Sequence, residues 1–374
     1  MSKKILFILP SLCRAGAETQ TVDLINGISS DDFDKYFLTF EKNLDQYERI
    51  DHENVKYIHC ERKKKIDLTL ITKIAHIIDS EKIELVHCSL QIALLMGWLG
   101  VKFSKTKPQI VLAVHTTLNR NKRNDLADKY IYQWLMRSCK KIIFVCKTQE
   151  SHWLKKFPSL KGNTVVIYNG VDPHYFDPNK FKSEGDNLRE KLNIPASSKV
   201  LCHIAAFRPE KGHLILVNAF RDVLVSHPDV YLVFAGDGLL RQKVEEKLAE
   251  YDIENNIHFL GNIPDVRPLL AMADVTVLPS TAVETFSIAM LESMSMNTPL
   301  VATNMGGIAE AVLHDKTGMI VEPGNATVLA SALTDILSDE NKCQHMSLAS
   351  RELIINNFTK RKMLDETASL LLVR

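Results

Sequence analysis

Val275-Thr-Val-Leu278 followed by Pro279-Ser-Thr-Ala-Val-Glu284-Thr-Phe-Ser-Ile-Ala-Met-Leu-Glu292-Ser-Met-Ser-Met-Asn-Thr-Pro299 decides how the rest of the chain is read. The short β-branched run is a buried strand. The loop from Ser280 to Val283 therefore stands at its carboxyl end, where open α/β sheets bind ligands. Glu284 is expected at or near a helix N-terminus, with Glu292 two turns further along, a rise of roughly 12 Å. Eight steps of a helix leave the two carboxylates on one broad face but out of reach of each other. Backbone amides freed at the helix start, Thr285 to Ser287, suit an anion or sugar hydroxyls without a metal. Spacing alone leaves two readings open: a pair of ligand carboxylates, or one amphipathic helix that carries two glutamates.

Outward from this stretch, short apolar runs alternate with helix-period segments, the pattern of parallel strands joined by covering helices. Strands are expected at 4–9, 36–39, 55–59, 85–88, 110–115, 141–145 and 164–168. A second set is expected at 200–205, 230–235, 257–260, 275–278, 300–302 and 318–321. Between the sets, Asn169-Gly-Val-Asp-Pro-His-Tyr-Phe-Asp-Pro178 and the polar residues up to Lys199 read as an interdomain linker. The expected division is a first domain over 1–178, a second over 179–355 and a terminal helix over 356–374. At 374 residues, with 45% apolar and 24% charged residues, the chain has ordinary globular composition.

Net charge is +1, yet residues 1–178 hold 27 Lys and Arg against 20 Asp and Glu, and the remainder 19 against 25. The balance averages a +7 half and a −6 half. The basic excess includes Arg62-Lys-Lys-Lys65, Lys102, Lys105, Lys107 and Arg120-Asn-Lys-Arg123. Such clusters are either solvated surface or a patch facing anionic headgroups or a phosphorylated acceptor. No aromatic residues interleave with them as a single-strand binder requires, so no nucleic-acid partner is expected.

Four more loops follow expected strands. Phe207-Arg-Pro-Glu-Lys211-Gly-His213 sets Arg208 and Lys211 at a carboxyl end, suited to a diphosphate. Gly236-Asp-Gly238, Asn304-Met-Gly306-Gly307 and Arg14-Ala-Gly16-Ala-Glu18 are glycine loops that let backbone approach a ligand.

With these residues in order, the chain resembles glycosyltransferase family 4, the retaining group 1 transferases of GT-B fold. The resemblance runs from the Gly16 loop through His115, Asn169-Gly-Val-Asp172, Lys211-Gly212, Gly236-Asp-Gly238, Phe259-Leu-Gly261 with Asp265-Val266, Glu284 and Glu292 to Gly306-Gly307. It implies an α/β protein of two Rossmann-like, doubly wound parallel-sheet domains facing a cleft, the first binding an acceptor and the second a nucleotide-sugar donor, with a C-terminal helix crossing back. Glu292 would hold the ribose hydroxyls, Glu284 the donor sugar, and Lys211, aided by Arg208, the departing diphosphate. Gly16 would bring backbone to the same phosphates, and His115 would sit beside the reacting sugar. Gly236, Thr285, Phe286, Ser287 and Ile288 would complete the donor site. Two departures stand out. Ala206 replaces the family's usual phosphate-binding arginine, and Ser287 stands where glycine is common, a position strained if its φ is positive.

The resemblance further implies front-face, metal-independent transfer from a nucleotide sugar, UDP-sugars being the expected donors, to a saccharide or lipid-linked acceptor in cell-surface polysaccharide or lipopolysaccharide synthesis. No cofactor and no metal are expected. Basicity on the acceptor half then reads as peripheral contact with an anionic membrane. The alternatives are a sugar-nucleotide epimerase or hydrolase on the same scaffold, and a binding protein without turnover.

Other classes fit poorly. Seven scattered cysteines with no C-x-x-C pair argue against a disulfide framework or structural zinc and fit a reduced, cytoplasmic protein. The run Ile5 to Leu9 is too short for a signal peptide and no small-residue site precedes Cys13. No apolar stretch approaches the ~20 residues that span a bilayer. Asp32-Phe-Asp34 has the spacing of a metal motif but reads as a solvated turn, and no G-x-G-x-x-G follows the first strand.

Overall fold

The structure, a computed structural model, describes residues 2–64, 66–115, 131–282 and 284–373. Lys65 and the cluster Arg120 to Arg123 lie outside the described residues. The chain forms two units: 1–169 together with 361–374, and 170–360.

The first unit is built on a seven-stranded sheet in the order β3-β2-β1-β4-β5-β6-β7. The strands are β1 (Lys3–Ile8), β2 (Phe33–Thr39), β3 (Val55–His59), β4 (Leu85–Ser89), β5 (Gln109–Val114), β6 (Lys141–Phe144) and β7 (Thr164–Val166), and every neighbouring pair is parallel. Ile5 to Leu9 are all fully buried. Alternation explains this: Leu6 and Ile8 join one core layer, with Ile74, Val86 and Met96, while Ile5 and Phe7 join the other, with Val22, Ile25 and Val111. A strand covered on both faces reads as an unbroken apolar run.

Helices α1 (Gly16–Gly27), α2 (Leu68–Ser80), α3 (Gln91–Phe103), α4 (Gln133–Arg137) and α5 (Lys147–Lys156) belong to this unit. Asp67 caps α2, accepting from the amides of Thr69 (3.0 Å) and Leu70 (3.3 Å).

The second unit holds β8 (Val200–Ile204), β9 (Tyr231–Ala235), β10 (Ile257–Phe259), β11 (Val275–Leu278), β12 (Leu300–Thr303) and β13 (Gly318–Val321), in the order β10-β9-β8-β11-β12-β13, again all parallel. Its helices are α6 (Pro178–Lys191), α7 (His213–Ser226), α8 (Arg241–Tyr251), α9 (Arg267–Met272), α10 (Ile288–Ser295), α11 (Ala326–Ser338) and α12 (Glu340–Asn357).

Residues 170–199 are not a linker. Asp177 accepts from the Asn179 amide (3.1 Å) and Pro178 opens α6, the N-cap and first-turn proline of a regular helix start. The guanidinium of Arg267, the first residue of α9, lies 3.6 Å from the centre of the Tyr175 ring and 4.2 Å from that of Phe181. Residues 170–178 thus group with the second unit, not with the first as the sequence reading places them.

The terminal helix α13 (Lys360–Leu372) lies with the first unit from Arg361 onward, and residues 356–360 stay with the second. Met363 and Leu371 are buried in the first unit's core, Leu364 packs on Gly27, and Lys3 Nζ donates to the Leu371 carbonyl at 2.6 Å. Where the chain passes between units, Val171 N donates to Phe358 O (3.0 Å) and Lys360 N to Val171 O (2.8 Å), so the two crossings are paired through backbone.

Candidate active site

In the second sheet the strand order reverses between β8 and β11, the point at which a doubly wound sheet opens a crevice for ligands. The loop after β8 carries Arg208 and Lys211, and the loop after β11 carries Ser280 and Glu284. Glu284 Oε2 accepts from Lys211 Nζ at 2.7 Å and from Ser280 Oγ at 2.9 Å. Glu284 is buried and Lys211 half-buried. A charge-assisted pair in such a setting is held in one geometry.

The two loops are locked by backbone. Thr281 N donates to Glu210 O at 2.9 Å, and Gly212, at φ +72°, brings its Cα so close to Pro279 that a Cβ would sit 2.0 Å from the Pro279 oxygen. On the other side, Gly306 at φ +56° lies against Glu284, where a Cβ would stand 2.0 Å from the Glu284 carbonyl oxygen. The neighbouring Gly307 N donates to Thr285 O at 2.6 Å. Three strand-end loops therefore converge on Glu284.

The helix after β11 starts later than the spacing suggests. α10 begins at Ile288, so Glu284 precedes it in a loop, and the amides at the helix start are those of Ile288 to Met290, not Thr285 to Ser287. Ser287 has φ −67° and ψ 129°, ordinary for an N-cap, and its Oγ accepts from Met290 N at 3.4 Å. It carries no positive-φ strain. The Phe286 ring is buried against Phe358, centroids 5.3 Å apart, so its side chain is structural. Ser287, Ile288 and Glu292 are half-buried along the open part of this helix.

Arg208 is exposed, in extended conformation, and its side chain makes no hydrogen bond or ion pair among the described residues. Ala206 is exposed beside it. Gly236, at φ +130°, donates its N–H to Gly261 O at 2.7 Å, and Phe207 N donates to Asp237 O at 3.0 Å, tying the Arg208 loop to the loop after β9.

Sequence reasoning missed Ser280, which shares the Glu284 carboxylate, and two histidines beneath Lys211. His203 Nδ1 donates to Val277 O at 2.7 Å, and His213 stacks on Phe207 with centroids 4.1 Å apart. Burial holds His213 neutral, its pKa lowered to about 4, and pushes His203 well below the usual value.

In the first unit, Gly16 is the exposed first residue of α1, whose N-terminal amides have no side-chain cap. His115 follows β5 and, with His87, Thr21, Ser89 and Asn169, lines a small cavity of about 40 Å³. Burial lowers the pKa of His115 to about 4 and that of His87 to about 3. Asp34 lies in β2, not in a turn, and pairs with Lys56 at 3.5 Å. Among the described residues no group of three or more His, Cys, Asp or Glu is arranged to hold a metal ion. Arg62 pairs with Glu41 at 3.0 Å, which removes part of the first basic cluster's charge.

Two units built on doubly wound parallel sheets define the fold class, that of the GT-B proteins. The chain belongs to the group 1 glycosyltransferases: the model for glycosyl transferases group 1 matches residues 184–353, and that for glycosyltransferase family 4 matches residues 14–175. It is 28% identical over 303 residues to the N-acetyl-alpha-D-glucosaminyl L-malate synthase of Bacillus anthracis, covering 80% of this chain and 77% of that one. Among solved structures, a glycosyltransferase from Rickettsia africae superposes with a TM-score of 0.85 at 23% identity, covering 99% of this chain and 97% of that one. Anabaena HepE in complex with UDP and glucose gives 0.86 at 23%, covering 99% of each chain.

Proposed function

We propose that the protein is a retaining glycosyltransferase that moves a sugar from a UDP-sugar to a saccharide or lipid-linked acceptor of the cell surface, without a metal. The observation that carries this is the Lys211–Glu284–Ser280 cluster at the reversal point of the second sheet. A diphosphate needs a cation beside it as it departs, and Lys211 is held there by Glu284. Glu284 presents a carboxylate oxygen for sugar hydroxyls, and Glu292, further along α10, serves the ribose. Arg208, exposed and unpaired, supplies the second cation where Ala206 cannot. The Anabaena relative was solved with UDP, which supports uridine as the base.

In this reading the bond from the anomeric carbon to the diphosphate oxygen breaks and a bond to the acceptor oxygen forms on the same face. The acceptor's proton passes to the departing phosphate. Glu284 positions the sugar and forms no bond to it, so catalysis rests on charge stabilisation and orientation.

The test is a calorimetric panel of uridine, guanosine, adenosine and thymidine diphosphates, followed by the corresponding sugars with an acceptor panel. Uridine diphosphate binds tightest, and transfer persists in chelator. Lys211→Ala, Glu284→Ala and Glu292→Ala each lower transfer by roughly 10²–10³-fold with unchanged circular dichroism. Full activity in all three sinks the assignment, and donor consumption without any acceptor would reassign the protein to an epimerase or hydrolase.

A further inference from the structure

A groove of about 380 Å³ at the amino ends of β5 and β6 takes no part in the transfer chemistry. It is lined by Trp98, Lys102, Lys107, Gln109, Ser138 and Lys140 among others. Chain order places it: α3 ends at Phe103 shortly before β5, and α4 at Arg137 shortly before β6. His115 leaves the opposite end of β5.

Its rim carries an exposed aromatic, Trp134 of α4, which is 57% exposed. The Trp134 ring meets Trp98 edge to face, centroids 4.7 Å apart, and Lys102 Nζ lies 5.9 Å from the centre of the Trp98 ring.

Its charge is uncompensated. Lys102, Lys107 and Lys140 have no acidic partner among the described residues. Lys107 Nζ donates to the carbonyls of Val101 and Lys102, and Lys140 Nζ to that of Val373 at 2.7 Å. Backbone carbonyls fix the Lys107 and Lys140 ammonium groups in place and leave their charge intact. Asp79, the nearby carboxylate, is occupied by the amides of Lys105 and Thr106 and by the Thr106 hydroxyl.

We propose that this groove docks the first unit on an anionic phospholipid surface, its lysines on headgroup phosphates and Trp134 in the interfacial layer. Tryptophan favours the headgroup level, and lysines add to attraction by negative leaflets. A nucleic acid is the weaker fit, because a stacking platform presents open ring faces and here Trp98 is covered by Trp134 and Lys102. The inference deepens the lipid-linked acceptor reading and rests on it only for the occasion to visit a membrane.

The experiment is co-sedimentation and tryptophan emission of the full chain with phosphatidylcholine vesicles, with and without phosphatidylglycerol, at low salt. Trp153 is buried, so a blue shift reports on Trp98 and Trp134. Binding and a blue shift are expected only with phosphatidylglycerol. Lys102→Gln with Lys140→Gln weakens partition by about 30-fold, Trp134→Ala abolishes the blue shift, and neutralising Arg62 to Lys64 changes binding less. The same variants keep wild-type binding of uridine diphosphate, which shows that they fold. No vesicle binding, binding indifferent to these substitutions, or a single-stranded oligonucleotide that outcompetes vesicles overturns the proposal. Failure of the wild-type chain to bind uridine diphosphate would defeat the transfer reading and leave this result standing.

Discussion

Ser287 shows how far one side chain can be read from neighbours in sequence. A glycine-like position before a helix invites positive φ, yet an N-cap is satisfied by extended backbone and a short oxygen side chain, and that is what Ser287 supplies. Ser287→Ala is therefore expected to cost ~0.5–2 kcal/mol and Ser287→Gly only a few tenths, read as a lower melting temperature for the first and little change for the second. Gly306 behaves oppositely. At φ +56° and against the Glu284 carbonyl, it has no room for a side chain. Gly306→Ala is expected to displace Glu284 and weaken donor-sugar use more than uridine diphosphate binding, seen as a rise in KM for the sugar nucleotide. The strand-end placement of Glu284, Lys211 and the glycines was legible because chemistry-bearing types stand just past expected strands, whereas Glu292 lies within α10. Ser280 and His213 were not, since a serine or histidine next to a strand end has many uses and only contact shows which one applies.

Among elements, all thirteen strands of the described residues were visible: central ones such as β1 and β4 are apolar runs covered on both faces, while the edge strands β3, β7 and β10 are only partly buried and were marked by short β-branched or aromatic runs. Helix boundaries were harder. The glutamate spacing suggested one helix, but Gly306 and Gly307 hold the first half of that stretch as a loop, and no local signal announces a contact made by residues twenty positions away. The missed helix α6 is the reverse: its signal, Asp177-Pro178, is local, but its polar composition hid it. Asp177→Ala is expected to cost about 1 kcal/mol and to speed amide exchange in the first turn of α6 while leaving α10 unchanged. Equal acceleration in both helices would show that the cap acts globally and not locally.

For the molecule as a whole, the buried histidines set an acid limit. His87 is held to about 3 and His213 to about 4, against 6.5 in an unfolded chain. Between these values the unfolded state binds protons that the native state does not. Stability is therefore complete above pH 6.5 and falls as pH drops toward 4, by up to ~1.4 kcal/mol per pH unit for each group. Melting temperatures at pH 7.5 and pH 5 test this, and His87→Leu should flatten the dependence; an unchanged slope would mean that His87 is already protonated in the native state.

The paired crossings at Val171 and Thr359 carry one more consequence. Because 170–360 is continuous and 361–374 completes the other half, the two units finish synthesis in reverse order of their start. At cellular translation speeds of 5–20 residues per second, the sheet begun by Lys3 waits roughly 10 to 40 seconds after Asn169 is made for its last helix. Throughout that interval the surface later covered by Met363, Leu364 and Leu371 stays open. A ribosome stalled after Lys360 should thus display a protease-resistant second unit beside a chaperone-bound first one.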